Sequence, residues 1–75
     1  MKNKLGKEKM TVGQLLEVIR TSQEVQLRDR EDKPLTGIET VSFICKTEKY
    51  LLTKTVENVY VAPSDTYIVI MVGNV

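Results

Sequence analysis

Near the C-terminus the run Tyr67-Ile68-Val69-Ile70-Met71-Val72 is apolar at every position. No other stretch of the chain restricts the fold as tightly. Val, Ile and Tyr are stiff or bulky at Cβ and suit a pleated surface. Successive side chains of a strand point to opposite faces, so Tyr67, Val69 and Met71 share one face and Ile68, Ile70 and Val72 the other. A strand that is apolar on both faces is normally buried on both. Just upstream, Glu57 to Ala62 reads as a second strand. Pro63-Ser64-Asp65-Thr66 reads as the turn between them, because Pro63 cannot donate to a ladder and Ser64 and Asp65 favour turns. Val56–Val72 is therefore expected to be a C-terminal hairpin and the hydrophobic centre of the fold.

The chain has 75 residues, enough for one domain with a thin core. Residues 1–9 carry four lysines against Glu8, a balance of +3, while the rest holds 7 basic and 9 acidic residues, a balance of −2. Residues 1–9 are expected to be a flexible basic arm and residues 10–75 a single mildly acidic domain. The domain opens on a helix signal over Thr11–Thr21. Thr11 is a good N-cap with Gln14 at capping-box spacing, and Val12, Leu15, Leu16 and Ile19 recur at helical period. Val25 and Leu27 then alternate with Glu24, Gln26 and Arg28, the pattern of a half-buried strand. Arg30 to Lys33 is a charged turn. Leu35 to Ile44 favours a strand on its threonines and Gly37, with a short helix over Glu39–Cys45 as the alternative, since Ile38, Val41 and Cys45 also fit helical spacing. Lys46 to Thr55 reads as a polar loop. The expected fold is α+β: one N-terminal helix laid across a small antiparallel sheet of about four strands, in the order α-β-β-β-β.

Several function classes are disfavoured by composition. Histidine is absent and Cys45 is the single cysteine. The usual general base near neutral pH and the commonest nitrogen ligand are therefore missing, and no Cys/His zinc site can be assembled. The carboxylate cluster Asp29, Glu31, Asp32 is interrupted by Arg30 and lacks the glycine of a calcium loop, so it reads as a solvated turn. The scattered glycines build no phosphate loop. No catalytic, cofactor-binding or metal-binding residue is expected. No apolar run reaches the ~18 residues of a membrane span. With no export signal and one cysteine, the expected location is the cytoplasm.

One face of the last strand can be covered by the helix. The other must be covered either by Phe43, Tyr50, Leu51 and Leu52 folding over it, or by a second copy or a foreign protein, because a wide exposed apolar patch is unusual for a monomer. The candidate interface is Tyr60, Tyr67, Ile68, Ile70 and Val72, with Arg28 and Arg30 as polar anchors.

The pattern Met10-Thr11-Val12-x-x-Leu15-Leu16-x-Val18-Ile19, then Gln23 to Asp29, then Thr55 to Val61 and the closing Ile-Val-Ile run, resembles small uncharacterised proteins of phages and other mobile elements of Gram-positive bacteria. The resemblance covers most of residues 10–72 and carries no functional residues. It implies a compact protein that acts by binding, such as an inhibitor of a host defence system of the anti-CRISPR kind, in the host cytoplasm.

The expected function is accordingly a non-catalytic interaction protein, probing a protein partner or a second copy of itself. One alternative is an oligomeric binder of a small ligand or nucleotide, anchored by Tyr60, Arg28 and Arg30. Another is weak nucleic-acid binding through the N-terminal lysines, which is disfavoured for the domain itself because Thr55–Val75 contains no Lys or Arg.

Overall fold

Thr11 starts the first helix in the way its spacing to Gln14 requires. Its Oγ1 accepts from the Gln14 N–H at 3.1 Å, and its own N–H donates to Gln14 Oε1 at 2.9 Å, closing both halves of the capping box. A computed structural model describes residues 9–73, so the expected arm over residues 1–9 lies outside the described residues apart from Lys9. Helix α1 is only Val12–Leu16, with Val12 and Leu16 buried. It is shorter than the Thr11–Thr21 segment expected. Beyond it, Val18 and Ile19 donate to Leu15 O and Leu16 O, the tighter i→i−3 spacing of a helix running out. Two adjacent β-branched residues followed by Thr21 and Ser22 favour that ending.

Strand β1, Glu24–Arg28, buries Val25 and Leu27 as its alternation demands, but Gln26 is buried too. The chain turns at Asp29, whose Oδ1 accepts from the N–H groups of Glu31 and Lys33 at 2.8 and 2.9 Å. Asp32 holds a φ of 68° in this turn, a left-handed geometry that Asp tolerates better than most side chains. Strand β2 is just Glu39–Thr40, antiparallel to β1. Helix α2, Val41–Thr47, follows at once.

The strand favoured for Leu35–Ile44 is thus corrected. Only two of its residues are strand, and the helical alternative describes most of its second half. The physical reason is Thr40. Its Oγ1 accepts from the Phe43 N–H at 3.2 Å, so it acts as an N-cap and not as a β-forming residue. Val41 and Ile44, three apart, then fall on one buried face, with Cys45 packed beside them. The polar loop expected after α2 also contains structure: a 3₁₀ helix over Lys49–Thr53 that buries Leu51 and seats Leu52 against the core.

Strands β3, Val56–Val61, and β4, Ile68–Val72, form the expected C-terminal hairpin. The sheet order is β2-β1-β4-β3. β4 pairs antiparallel with β3 but parallel with β1, in the register Val25↔Ile68, Gln26↔Val69, Leu27↔Ile70, Arg28↔Met71. The fold is α+β with four strands, and the sheet is mixed where an antiparallel one was expected. The helical segment between Val41 and Thr53 carries the chain under the sheet from the β2 edge to the β3 edge. A crossover of that kind is what lets parallel strands become neighbours. Val12, Leu16, Val25, Leu27, Val41, Ile44, Leu51, Ile70 and Val72 make one buried cluster between the sheet and the helices.

Truncation at the centre of this cluster is expected to be severe. Ile70→Ala should lower unfolding free energy by about 2–5 kcal/mol, a large part of what a small domain has. Thr40→Ala should cost about 1 kcal/mol through the lost cap. Urea unfolding followed by circular dichroism measures both. A Thr40→Ala variant as stable as the parent would contradict the capping assignment.

Candidate functional site

The face of the sheet away from the helices carries Gln26, Arg28, Val69, Met71, Asn58 and Tyr60, as the strand registers dictate. Val69 is fully buried there, and Gln26 nearly so. They are covered by side chains of the sheet itself. Arg28 Nε donates to Gln26 Oε1 at 2.8 Å, Nη1 donates to Asp32 Oδ1 at 3.1 Å and to the Tyr60 hydroxyl at 3.2 Å, and Nη2 donates to the Tyr67 hydroxyl at 3.4 Å. The Tyr60 hydroxyl in turn donates to Asp32 Oδ1 at 3.0 Å. Gln26 Nε2 donates to Thr36 O at 3.1 Å. Arg28 stands on β1 and Tyr60 on β3, so their bond crosses β4 in the row of Gln26, Val69 and Tyr60. Arg28, Tyr60 and Tyr67 are thus joined on the face where Val69 is buried, while Met71 and Tyr67 stay half-buried.

The charges of this cluster are mutually supporting. The hydrogen bond from Arg28, then that from Tyr60, holds the Asp32 carboxyl below its ordinary range. Asp32 holds the Arg28 guanidinium above its usual value and, as the largest cause, pushes the Tyr60 phenol up as well. A second group sits at the start of β3. Glu57 is the extra residue where the β3–β4 register shifts between Val56 and Asn58. Its carboxylate takes Lys9 Nζ at 3.0 Å and Arg30 Nη2 at 3.3 Å, which lower its pKa in that order.

The sequence-predicted residues therefore separate. Tyr60, Tyr67 and Arg28 are brought together on the far face. Arg30 is not with them and pairs with Glu57. Ile70 and Val72 are fully buried under the helices, so as interface residues they are corrected to core; Ile68 packs against the same cluster from its rim. The reason is parity: Ile68, Ile70 and Val72 form the helix-side face of β4, and the face left for another cover is that of Tyr67, Val69 and Met71. Phe43 and Tyr50 do not close that face either, being 46% and 62% exposed on the helical side of the chain, and Leu51 is buried in the helix-side cluster. Arg28 has four of its five guanidinium N–H donors engaged within the chain, which leaves a single Nη2 donor to meet an anion.

Two features escaped sequence reasoning. Asp32, read as a solvated turn residue, is the anion of the far-face cluster. No local signal marks it, because its partners lie on other strands. The second is the outer edge of β3. Ala62 N–H donates to Tyr67 O at 2.9 Å, so beyond the bulge Asn58, Tyr60 and Ala62 turn their backbone groups toward β4. By the alternation of an antiparallel ladder, the N–H and C=O groups of Val59 and Val61 point away from the sheet. Val59 N–H is met by its neighbour's side chain, Asn58 Oδ1, at 2.9 Å. The two valines are 43% and 58% exposed. No charged residue occurs from Asn58 to Ser64, and that signal was legible.

Among the described residues, no three His, Cys, Asp or Glu side chains are grouped to hold a metal ion, and no helix is long and apolar enough to cross a membrane. No protein-family model, curated protein or solved structure matches the chain. The likeness to small phage proteins thus rests on the residue pattern alone.

The far-face cluster makes a pH prediction. The folded pKa of Asp32 lies below its unfolded value, so its contribution to stability is present above about pH 4 and is lost as pH falls through the lower folded value. Asp32→Asn keeps a side chain that tolerates the left-handed backbone. It should flatten the acid limb of the thermal midpoint below about pH 4 and bring the Tyr60 phenol down toward its ordinary value in an ultraviolet tyrosinate titration. An unchanged tyrosine titration would contradict the contact.

Proposed function

We propose that this chain is a non-catalytic interaction protein that works by binding a protein partner along the outer edge of β3. The observation that carries the reading is the state of that edge. Strand Val56–Val61 turns the backbone groups of Val59 and Val61 outward, flanks them with half-exposed valines and places no charge among them. Folded proteins usually blunt such an edge with charge, bulges or proline, because unpaired strand groups template another strand. Here the bulge at Glu57 and the turn at Pro63 confine the edge at its two ends, and among the described residues the stretch between has no backbone partner. An extended segment that adds to a sheet edge gains affinity from main-chain bonds and selectivity from alternate side chains.

The non-catalytic part of the reading rests on the sequence, which has no histidine and one cysteine. The finer form of the proposal is a phage-type inhibitor acting in a host cytoplasm by occupying a component of a defence system. Its support is the pattern likeness over residues 10–72 together with the open edge. Val69 on the second face of β4 is already buried within the chain, so the reading rests on β3 and not on that face.

A test follows from edge chemistry. Extended peptides selected from a random library on the parent protein should bind Val61→Lys at least about tenfold more weakly, a loss of about 1.4 kcal/mol. The variant should keep the parent's thermal midpoint, since a lysine on a strand edge is well tolerated. Peptides indifferent to Val59→Lys and Val61→Lys but lost on Tyr67→Phe would place the binding surface on the far face and contradict the assignment.

A further inference from the structure

We propose that the occupant of the β3 edge is a second copy of this chain, paired antiparallel across a two-fold axis at Tyr60. This deepens the edge-docking reading and rests on it. Three observations select the partner and the register.

The first is backbone parity. Val59 and Val61 turn their N–H and C=O groups outward. In an antiparallel two-fold pair centred on Tyr60, Val59 of one copy faces Val61 of the other and the reverse. Both are hydrogen-bonded pairs, so four main-chain bonds form. A shift one way centres the pair on Val61 and calls on the N–H of Pro63, which does not exist. A shift the other way centres it on Val59 and sets Val61 against Glu57, the bulged residue where the register breaks. The Tyr60 register is the one that uses both open residues and neither obstacle.

The second is charge. An isologous contact sets each residue near its own kind, and a charged edge would repel itself. Asn58 to Ser64 contains no charge, so self-pairing meets no like-charge penalty across the contact. The charged residues at the entrance to the strand, Lys9, Arg30 and Glu57, are already tied to each other.

The third is continuity. The chain already adds backbone to this same edge. Thr11 bridges Thr55 antiparallel, with Val56 N–H donating to Met10 O at 2.8 Å and Val12 N–H to Lys54 O at 2.9 Å. The edge is thereby extended as far as Val56, and a partner's β3 would continue the row across Asn58–Ala62. On the helix-side face, Val59 and Val61 would meet the same two valines of the partner, a β-branched cross-strand pairing that sheets favour. On the far face the two Tyr60 rings would flank the axis. The result is a continuous eight-stranded sheet.

A short edge buries far less than the ~800 Å² per partner of a standard interface, so the dimer is a weak one. Asn58 also competes for one donor, and its side chain must release Val59 N–H for all four bonds to form. Sedimentation equilibrium should therefore show dimer growing in as concentration rises toward about 1 mM. Val61→Lys should remain a monomer over that range, and Asn58→Ala should dimerise more tightly than the parent.

Cross-linking fixes the register. In a Cys45→Ser background, the pair Val59→Cys with Val61→Cys should give a covalent dimer on mild oxidation, since hydrogen-bonded antiparallel partners stand about 5.5 Å apart at Cα, within disulfide reach. Val59→Cys alone should not, because its two copies lie roughly 8 Å apart along and across the strands.

A chain that stays monomeric to that concentration overturns the proposal. So does a dimer that survives Val61→Lys, or a Val59→Cys single variant that cross-links as well as the double. If deleting residues 1–8 is needed before the dimer appears, the edge of the full chain is taken by its own N-terminus and the proposal is likewise overturned. A monomer whose selected peptides still depend on Val61 overturns self-pairing and leaves edge docking standing. A monomer whose peptides ignore Val61 overturns both.

Discussion

The structure depends on the position of β4 between β1 and β3. An interior strand has partners on both edges and must be covered on both faces, and Ile68–Val72 has the side chains for that place. On one face Ile70 and Val72 sink into the cluster made with α1, α2 and the 3₁₀ helix. On the other, no helix lies among the described residues. Val69 is covered by a span of side chains from the flanking strands, with Arg28 reaching across to Tyr60 and meeting Tyr67. Long amphipathic side chains cover apolar surface while keeping their polar ends satisfied. That solution suits a chain too short to supply a second layer of secondary structure.

The covering works because its polar groups are completed locally. Arg28 would be costly over a buried valine if its donors were unmet. Gln26, Asp32, Tyr60 and Tyr67 meet them, and no buried side-chain nitrogen or oxygen among the described residues lacks a partner. Asp32 enters from the β1–β2 turn in a left-handed conformation, which ties the turn's geometry to the Arg28 cluster. Val59 and Val61, on β3 between its bulge and Pro63, are the sheet's half-exposed valines.

Sequence reasoning recovered what local patterns encode. The capping box at Thr11 and Gln14, the alternation of Val25 and Leu27, and the hairpin broken at Pro63 all depend on neighbours within a few residues. What it misjudged depends on pairing at a distance. Thr40 can serve a strand or a cap, and the choice is made by Val41 and Ile44 finding Leu51 and the core. β4 has the composition of an interior strand, yet nothing local states that it lies parallel to β1, so the sheet was expected to be antiparallel. The two-sided apolar pattern was read as a need for cover, and the cover was sought among apolar residues or partners. Arg28, Tyr60 and Tyr67 supply it, and they lie on three separate segments, joined only by the fold. Of the expected site residues, Tyr60, Tyr67 and Arg28 do converge, while Ile70 and Val72 fall on the wrong side by strand parity.

The central claim is that β4 is buried at Val69 on one face and at Ile70 and Val72 on the other, while β3 among the described residues keeps an open outer edge. Amide hydrogen exchange of the dilute, monomeric protein, read residue by residue by NMR, tests it most directly. The account predicts that Val69, Ile70 and Met71 exchange only through global unfolding, and that the Val61 amide exchanges close to its unprotected rate. Val61 protected as strongly as Val69 in the monomer, or Val69 exchanging by local opening, would contradict it.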